Sequence, residues 1–237
     1  MPTASAIERN KIAKAAIAAF FIFLTADLVF VGCSLPDPRY ITKPLIVASL
    51  MVYAVVKIIK TQQPVFSLLL AALFFSWLGD ILLMFDSFDA GFFLYGLSAF
   101  LISHIFYSFL FYRLLKAERI RMRPVWVLVA AVYYAMLMAL LFSRLGSMKI
   151  PVLVYGVVIC LMLVLALHLG AAGSREAGWR IMTGAVLFVV SDSILAFNKF
   201  HTSFFPAALL VMLTYGMAQY YLTTGVCRYA ESREPVI

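Results

Sequence analysis

The sequence predicts an all-α protein, a polytopic membrane helix bundle of eight transmembrane helices. Three observations lead there. Of its 237 residues, 65% are hydrophobic and 13% charged, whereas soluble domains run near half apolar and a quarter charged. The apolar residues fall in blocks, each close to the roughly 20 residues that a bilayer crossing needs. The connections between blocks are short, which predicts one transmembrane domain over 1–237 and no soluble module.

The blocks place the spans at about 12–33, 41–59, 64–85, 91–112, 124–142, 150–169, 178–199 and 204–226. Pro44, Pro64, Pro124, Pro151 and Pro206 fall near span starts, where a helix tolerates proline. Basic residues ahead of the first block, with FVGCS at 30–34, are also marks of an export signal. Phe30 stands where a lipoprotein cleavage box prefers leucine, and the run is long for a signal. The first block is therefore read as a retained helix.

The net charge is +8. In a soluble protein that would point to nucleic acid or an acidic surface. Here basic residues marking cytoplasmic loops explain it, and no nucleic acid partner is expected. With the N-terminus inside, the inner side collects Arg9, Lys11, Lys14, Lys57, Lys60, Arg113, Lys116, Arg119, Arg121, Arg123, Arg175, Arg180, Arg228 and Arg233. The outer side holds Arg39, Lys43, Arg144, Lys149 and Lys199. Both termini are expected in the cytoplasm, of a bacterial inner membrane or, in a eukaryote, of the endoplasmic reticulum. Cys33, Cys160 and Cys227 are an odd number within or beside apolar runs, so they are expected to pack rather than pair.

Ionisable groups inside membrane helices are costly and are functional candidates. Asp27 sits in LTADLVF, Asp80 in SWLGDILLMF and Asp192 in VVSDSILAF. Each follows a small residue (Ala26, Gly79 or Ser191), which lets a neighbouring helix approach closely. All three occupy spans that run outward and lie roughly 8–10 Å below the outer end at about 1.5 Å per residue. One level predicts one shared cavity.

Ser76, Gly79 and Asp80 share a helix face, as do Phe188, Ser191 and Asp192. This correspondence four spans apart points to a four-plus-four parallel repeat. The next spans carry His104 and Tyr107 in one half, and Tyr215, Gln219 and Tyr220 in the other. A structural reading competes at each position. The aspartates could hold helices together through serines or backbone, with Asp27 pairing to Lys43. His104, roughly 20 Å deep, could bridge helices, and Tyr107, Tyr215 and Gln219 could simply hydrogen-bond.

His201, His104 and His168 fall at three depths, which disfavours one tetrahedral metal site. No HExxH, paired CxxC or GxSxG pattern occurs. Neither metal nor cofactor is expected. A pair of carboxyl groups suits acid–base hydrolysis, one holding a proton while the other is ionised. Glycosidases cleave acetal-type bonds in this way through an oxocarbenium-like state. Asp80 and Asp192 are the expected pair.

The segments TKPL at 42–45, WLGDILLM at 77–84, GLSAFLISHIFY at 96–107, SDSILAF at 191–197 and YGMAQYYL at 215–222 resemble the YhhN family of membrane proteins. The resemblance implies a lysoplasmalogenase, an ether hydrolase that cleaves the vinyl ether of a lysophospholipid to a fatty aldehyde and a glycerophospho-base. It makes a lysophospholipid the substrate and membrane lipid the surroundings. On this reading the catalytic residues are Asp80 and Asp192, with acid and base unassigned. The substrate-binding set is Asp27, Lys43, Ser76, His104, Tyr107, Ser191, Asn198, Tyr215 and Gln219. Lys43 is the first candidate for the phosphate and Lys199 the second, with Asn198 assisting at that level. Two alternatives remain: a proton-coupled carrier using the aspartates, and a lipid-binding membrane protein without turnover.

Overall fold

The computed structural model describes residues 4–58, 64–89, 91–172 and 176–232. Lys60, Arg175 and Arg233 of the charge count lie outside the described residues. The helices are α1 (Ala4–Gly32), α2 (Arg39–Ile58), α3 (Pro64–Met84), α4 (Gly91–Ala117), α5 (Pro124–Leu141), α6 (Lys149–Ala171), α7 (Glu176–Phe200) and α8 (Ala207–Glu231). Two short 3₁₀ turns link α5 to α6, and no strand occurs among the described residues.

Helices α1 to α7 are long and apolar enough to cross a membrane. Helix α8 has 25 residues but a more polar composition, and its position explains why. Residues 222–227 are buried on every side. A helix surrounded by helices can carry Tyr215, Gln219, Thr223 and Thr224 without presenting them to lipid. It runs antiparallel to α7, with Gly225 against Ile181, Gly184 against Leu222, and the Ser191 hydroxyl donating to the Val211 carbonyl. Because α8 follows α7 over this length, it occupies the same depth.

The largest differences from the expected spans are extensions at the basic end of the bundle. Helix α1 starts at Ala4 rather than 12, α4 continues to Ala117 rather than 112, and α8 continues to Glu231 rather than 226. Hydropathy marks the stretch that needs an apolar surrounding, whereas backbone hydrogen bonding continues past it through Arg113, Lys116 and Arg228. Helix α8 also begins later than 204, because residues 201–206 form a turn in which Asn198 Oδ1 accepts the Phe204 N–H at 3.1 Å. Pro44 lies within α2, which starts at Arg39. Cys160 and Cys227 are buried as expected, but Cys33 is exposed where α1 ends.

Sequential helices alternate in direction, so the start of α1 and the end of α8 share one end of the bundle. There Lys57 of α2 meets Glu231 of α8 at 2.9 Å. The opposite end carries the connections formed by residues 33–38, 85–89, 142–148 and 201–206.

Lipid gives helices no hydrophobic reason to associate, so close packing at small residues does the work. At Gly79 of α3 a Cβ would stand 2.7 Å from the Phe100 ring of α4. At Gly184 it would stand 2.8 Å from the Leu222 backbone nitrogen and 2.9 Å from the Ala218 carbonyl oxygen. Backbone cannot rotate away as a side chain can. Gly184→Ala is therefore expected to push α7 off α8 and to destabilise by about 1–3 kcal/mol. Gly32→Ala, with nothing within 4 Å, is the control. Thermal unfolding of both variants in detergent checks this.

Candidate active site

Two carboxylate clusters, one buried and one half-buried, stand on either side of an aromatic group made by Phe100, Phe188 and Tyr215. Phe188 meets Tyr215 at 5.4 Å and His104 at 4.6 Å between ring centroids. Phe100 meets Tyr215 at 5.7 Å.

On one side, Asp80 of α3 is 3% exposed. Its Oδ2 accepts the Tyr215 hydroxyl at 2.6 Å, and its Oδ1 lies 3.7 Å from the Lys43 ammonium. Behind Tyr215 runs a chain of bonds. The Tyr107 hydroxyl donates to Gln219 Oε1 at 2.8 Å, and Gln219 Nε2 donates to the Tyr215 oxygen at 3.4 Å. Every donor points the same way, so the chain is polarised toward Asp80.

On the other side, Asp192 of α7 accepts the Tyr155 hydroxyl from α6 through Oδ2. His104 Nε2 lies 3.8 Å from the same oxygen. His104 Nδ1 is 2.5 Å from the Phe100 carbonyl. A carbonyl only accepts, so Nδ1 carries hydrogen and Nε2 of the neutral ring keeps a lone pair. That nitrogen is buried and has no hydrogen-bond partner among the described residues.

Asp192 also forms part of the wall of a largely apolar cavity of about 60 Å³. Helices α3 to α7 line it, with Leu97, Leu137, Met138, Ile159 and Val189 among the apolar groups. Tyr133 and Ser193 form a hydrogen-bonded pair on the wall. The cavity runs from Tyr133 and Ile159 in the bundle to Phe93 and Phe200 at the helix ends.

The single cavity expected for three carboxylates is not what forms. Asp192 lines the cavity, whereas neither Asp80 nor Asp27 is among its lining residues. Equal depth leaves the azimuth around each helix open, and α3 turns Asp80 toward α2 and α8. Asp27 is fully buried and pairs with Arg39, not Lys43. The guanidinium forks onto both carboxylate oxygens at 3.2 and 3.3 Å, and the Thr42 hydroxyl adds a bond at 3.0 Å. Lys43 instead serves Asp80, because it lies one helical turn beyond Arg39.

Ser76 bonds Ser103 at 2.7 Å and so clips α3 to α4. Ser191 clips α7 to α8 at 3.1 Å, and Asn198 braces the turn before α8. None of these three side chains reaches Asp192 or Asp80 in a bond that the structure forms. Tyr155 was missed by the sequence reading, as were Arg39 and Thr42. Tyr155 lies in PVLVYGVVIC, where one tyrosine beside a glycine in an apolar run was the available signal. Among the described residues, no three His, Cys, Asp or Glu side chains gather as metal ligands would.

The chain matches the YhhN family over residues 38–226. Lysoplasmalogenase TMEM86B of Rattus norvegicus is 35% identical over 136 residues, 57% of this chain and 53% of that protein. Lysoplasmalogenase TMEM86A of Homo sapiens is 33% identical over 171 residues, 69% of this chain and 65% of that protein. The chain thus spans between about half and two thirds of the length of these relatives. No solved structure matches. The matched segment holds Asp80, His104, Tyr155, Asp192 and Tyr215, and hence both sides of the aromatic group. Fold, membrane-spanning helices and matched segment agree: this chain belongs to the YhhN family of integral, multi-pass membrane proteins.

Proposed function

We infer that this protein hydrolyses the vinyl ether of a lysoplasmalogen to a fatty aldehyde and a glycerophospho-base. The observation that carries the reading is the cavity: apolar walls suited to an alkenyl chain, with the carboxyl group of Asp192 set into them. Relatives named lysoplasmalogenases supply the bond to be cleaved.

In this mechanism Asp192 holds the transferable proton. It passes the proton to the alkenyl carbon distal to the ether oxygen, whose π electrons form the new C–H bond. The adjacent carbon becomes an oxocarbenium centre. Asp80, ion-paired with Lys43, is the ionised member, and its charge behind the aromatic group favours that cation. Water adds to the cationic carbon and gives its proton to the Asp192 carboxylate, which restores the acid. The hemiacetal then moves its hydroxyl proton to the glyceryl oxygen as the C–O bond breaks. Tyr155 and His104 position the Asp192 carboxyl group. The scheme uses carboxyl groups and water.

The same reading keeps one transmembrane domain over 1–237 with both termini cytoplasmic, because basic residues cluster at that end. It also keeps the four-plus-four repeat, in which each aspartate meets the last helix of the opposite half. Asp80 of α3 meets Tyr215 of α8, and Asp192 of α7 faces His104 of α4.

Purified protein in detergent is expected to release aldehyde from lysoplasmalogen, read by mass spectrometry. No release, together with solute flux in proteoliposomes, would replace this reading with the carrier. No release and no flux, with lysolipid still bound, would leave a lipid-binding protein.

A further inference from the structure

The cavity ends at Phe93 of α4 and Phe200 of α7, whose rings meet edge to face at 5.7 Å. Lys199 holds its ammonium 4.8 Å above the Phe93 ring centroid and 2.5 Å from Asp86 Oδ2. The other oxygen, Asp86 Oδ1, is shielded from solvent and has no hydrogen-bond partner among the described residues. A shielded acceptor without a donor is destabilising, and here it lies beside a cation that sits on the ring of Phe93, a residue of the cavity wall. The arrangement presents one positive and one negative group side by side.

We propose that Lys199 and Asp86 form a headgroup subsite for a zwitterionic phosphoethanolamine, with phosphate at Lys199 and the primary ammonium at Asp86 Oδ1. The proposal rests on the functional reading for the position of the scissile bond. Lys199 lies seven residues beyond Asp192 on α7, roughly 10 Å along the axis at about 1.5 Å per residue. An extended chain advances about 3.5 Å per three bonds. Seven bonds separate the phosphorus from the distal alkenyl carbon, so a bound lysolipid spans roughly 8 Å between the two sites. The flexible lysine side chain covers the difference.

The subsite discriminates between amines. A primary ammonium brings N–H donors to Asp86 Oδ1, whereas the quaternary ammonium of choline has none and leaves that oxygen unpaired. Sites built to hydrogen-bond a group reject analogues that lack it. The other cations at this end are engaged elsewhere. Arg144 donates to the His201 carbonyl at 3.3 Å, and Lys149 sits 4.9 Å over the Phe142 ring.

Binding of alkyl-ether lysophosphoethanolamine and lysophosphocholine to the full-length protein tests this by calorimetry. These ligands carry no vinyl ether, so a protein that fails to turn over can still be scored. Expected is ethanolamine binding about tenfold tighter than choline. Asp86→Asn brings that ratio close to one, and Lys199→Gln weakens both ligands by a similar factor. Asp89→Asn alters a carboxylate that accepts the Gly91 N–H at 2.7 Å, and it leaves the ratio at the wild-type value. Soluble glycerophosphoethanolamine binds far more weakly than the lysolipid. Equal affinities for the two headgroups would overturn the proposal. So would an Asp86→Asn variant that shifts both ligands together, or a free headgroup that binds as tightly as the lipid.

Discussion

Asp192→Asn is expected to lower kcat/KM for lysoplasmalogen by about 10²- to 10⁴-fold, the range for loss of a positioned proton donor, while the protein stays folded. The carboxamide keeps the shape of the side chain, and its oxygen still accepts the Tyr155 hydroxyl. It cannot deliver a proton to carbon. The variant thus separates chemistry from packing at a carboxyl group set in the cavity wall. Aldehyde release and thermal unfolding, measured on the same preparation, give both readouts. A folded variant keeping more than about a tenth of wild-type turnover would remove Asp192 from the proton transfer.

Lys43→Met is expected to destabilise the protein by about 3–5 kcal/mol, the usual range when one partner of a buried ion pair is removed. Asp80 is 3% exposed, so water cannot replace the ammonium. The double variant Lys43→Met/Asp80→Asn should recover most of that loss, because the asparagine oxygen still accepts the Tyr215 hydroxyl and no charge is left alone. Contacting residues couple in this way, whereas distant ones add. The double variant is also expected to turn over slowly, since it lacks the negative charge that favours the cation. Denaturant unfolding of the two single variants and the double variant checks the coupling. A double variant no more stable than Lys43→Met would show that the two side chains are not a pair.

Much of the fold was legible in the chain. The eight apolar blocks correspond to eight helices, because each crossing must satisfy its backbone hydrogen bonds internally, and composition marks where that holds. The helix ends were less legible, as the overrun of α1 into residues 4–11 and of α4 to Ala117 shows. The cost of Asp80 and Asp192 in apolar surroundings was equally visible; the structure buries Asp80 and leaves Asp192 half-buried in the cavity wall.

Which group answers each carboxylate was not readable. Lys43 and Arg39 lie one turn apart on α2, and spacing alone does not say which of them serves Asp27. The rotation of α2 against α1 and α3 decides it. Tyr155 meets Asp192 only because α6 packs against α7, and the sequence separation of 37 residues carries no sign of that contact.

The sequence by itself determined how many helices form, which of them carry an aspartate and which family the chain resembles. Those properties follow from position along a helix and from the polarity of its surroundings. Tertiary structure alone decided that Asp192 lines the cavity while Asp80 stands behind Phe100, Phe188 and Tyr215. That outcome depends on the rotation of each helix about its axis, which contacts among several helices set together.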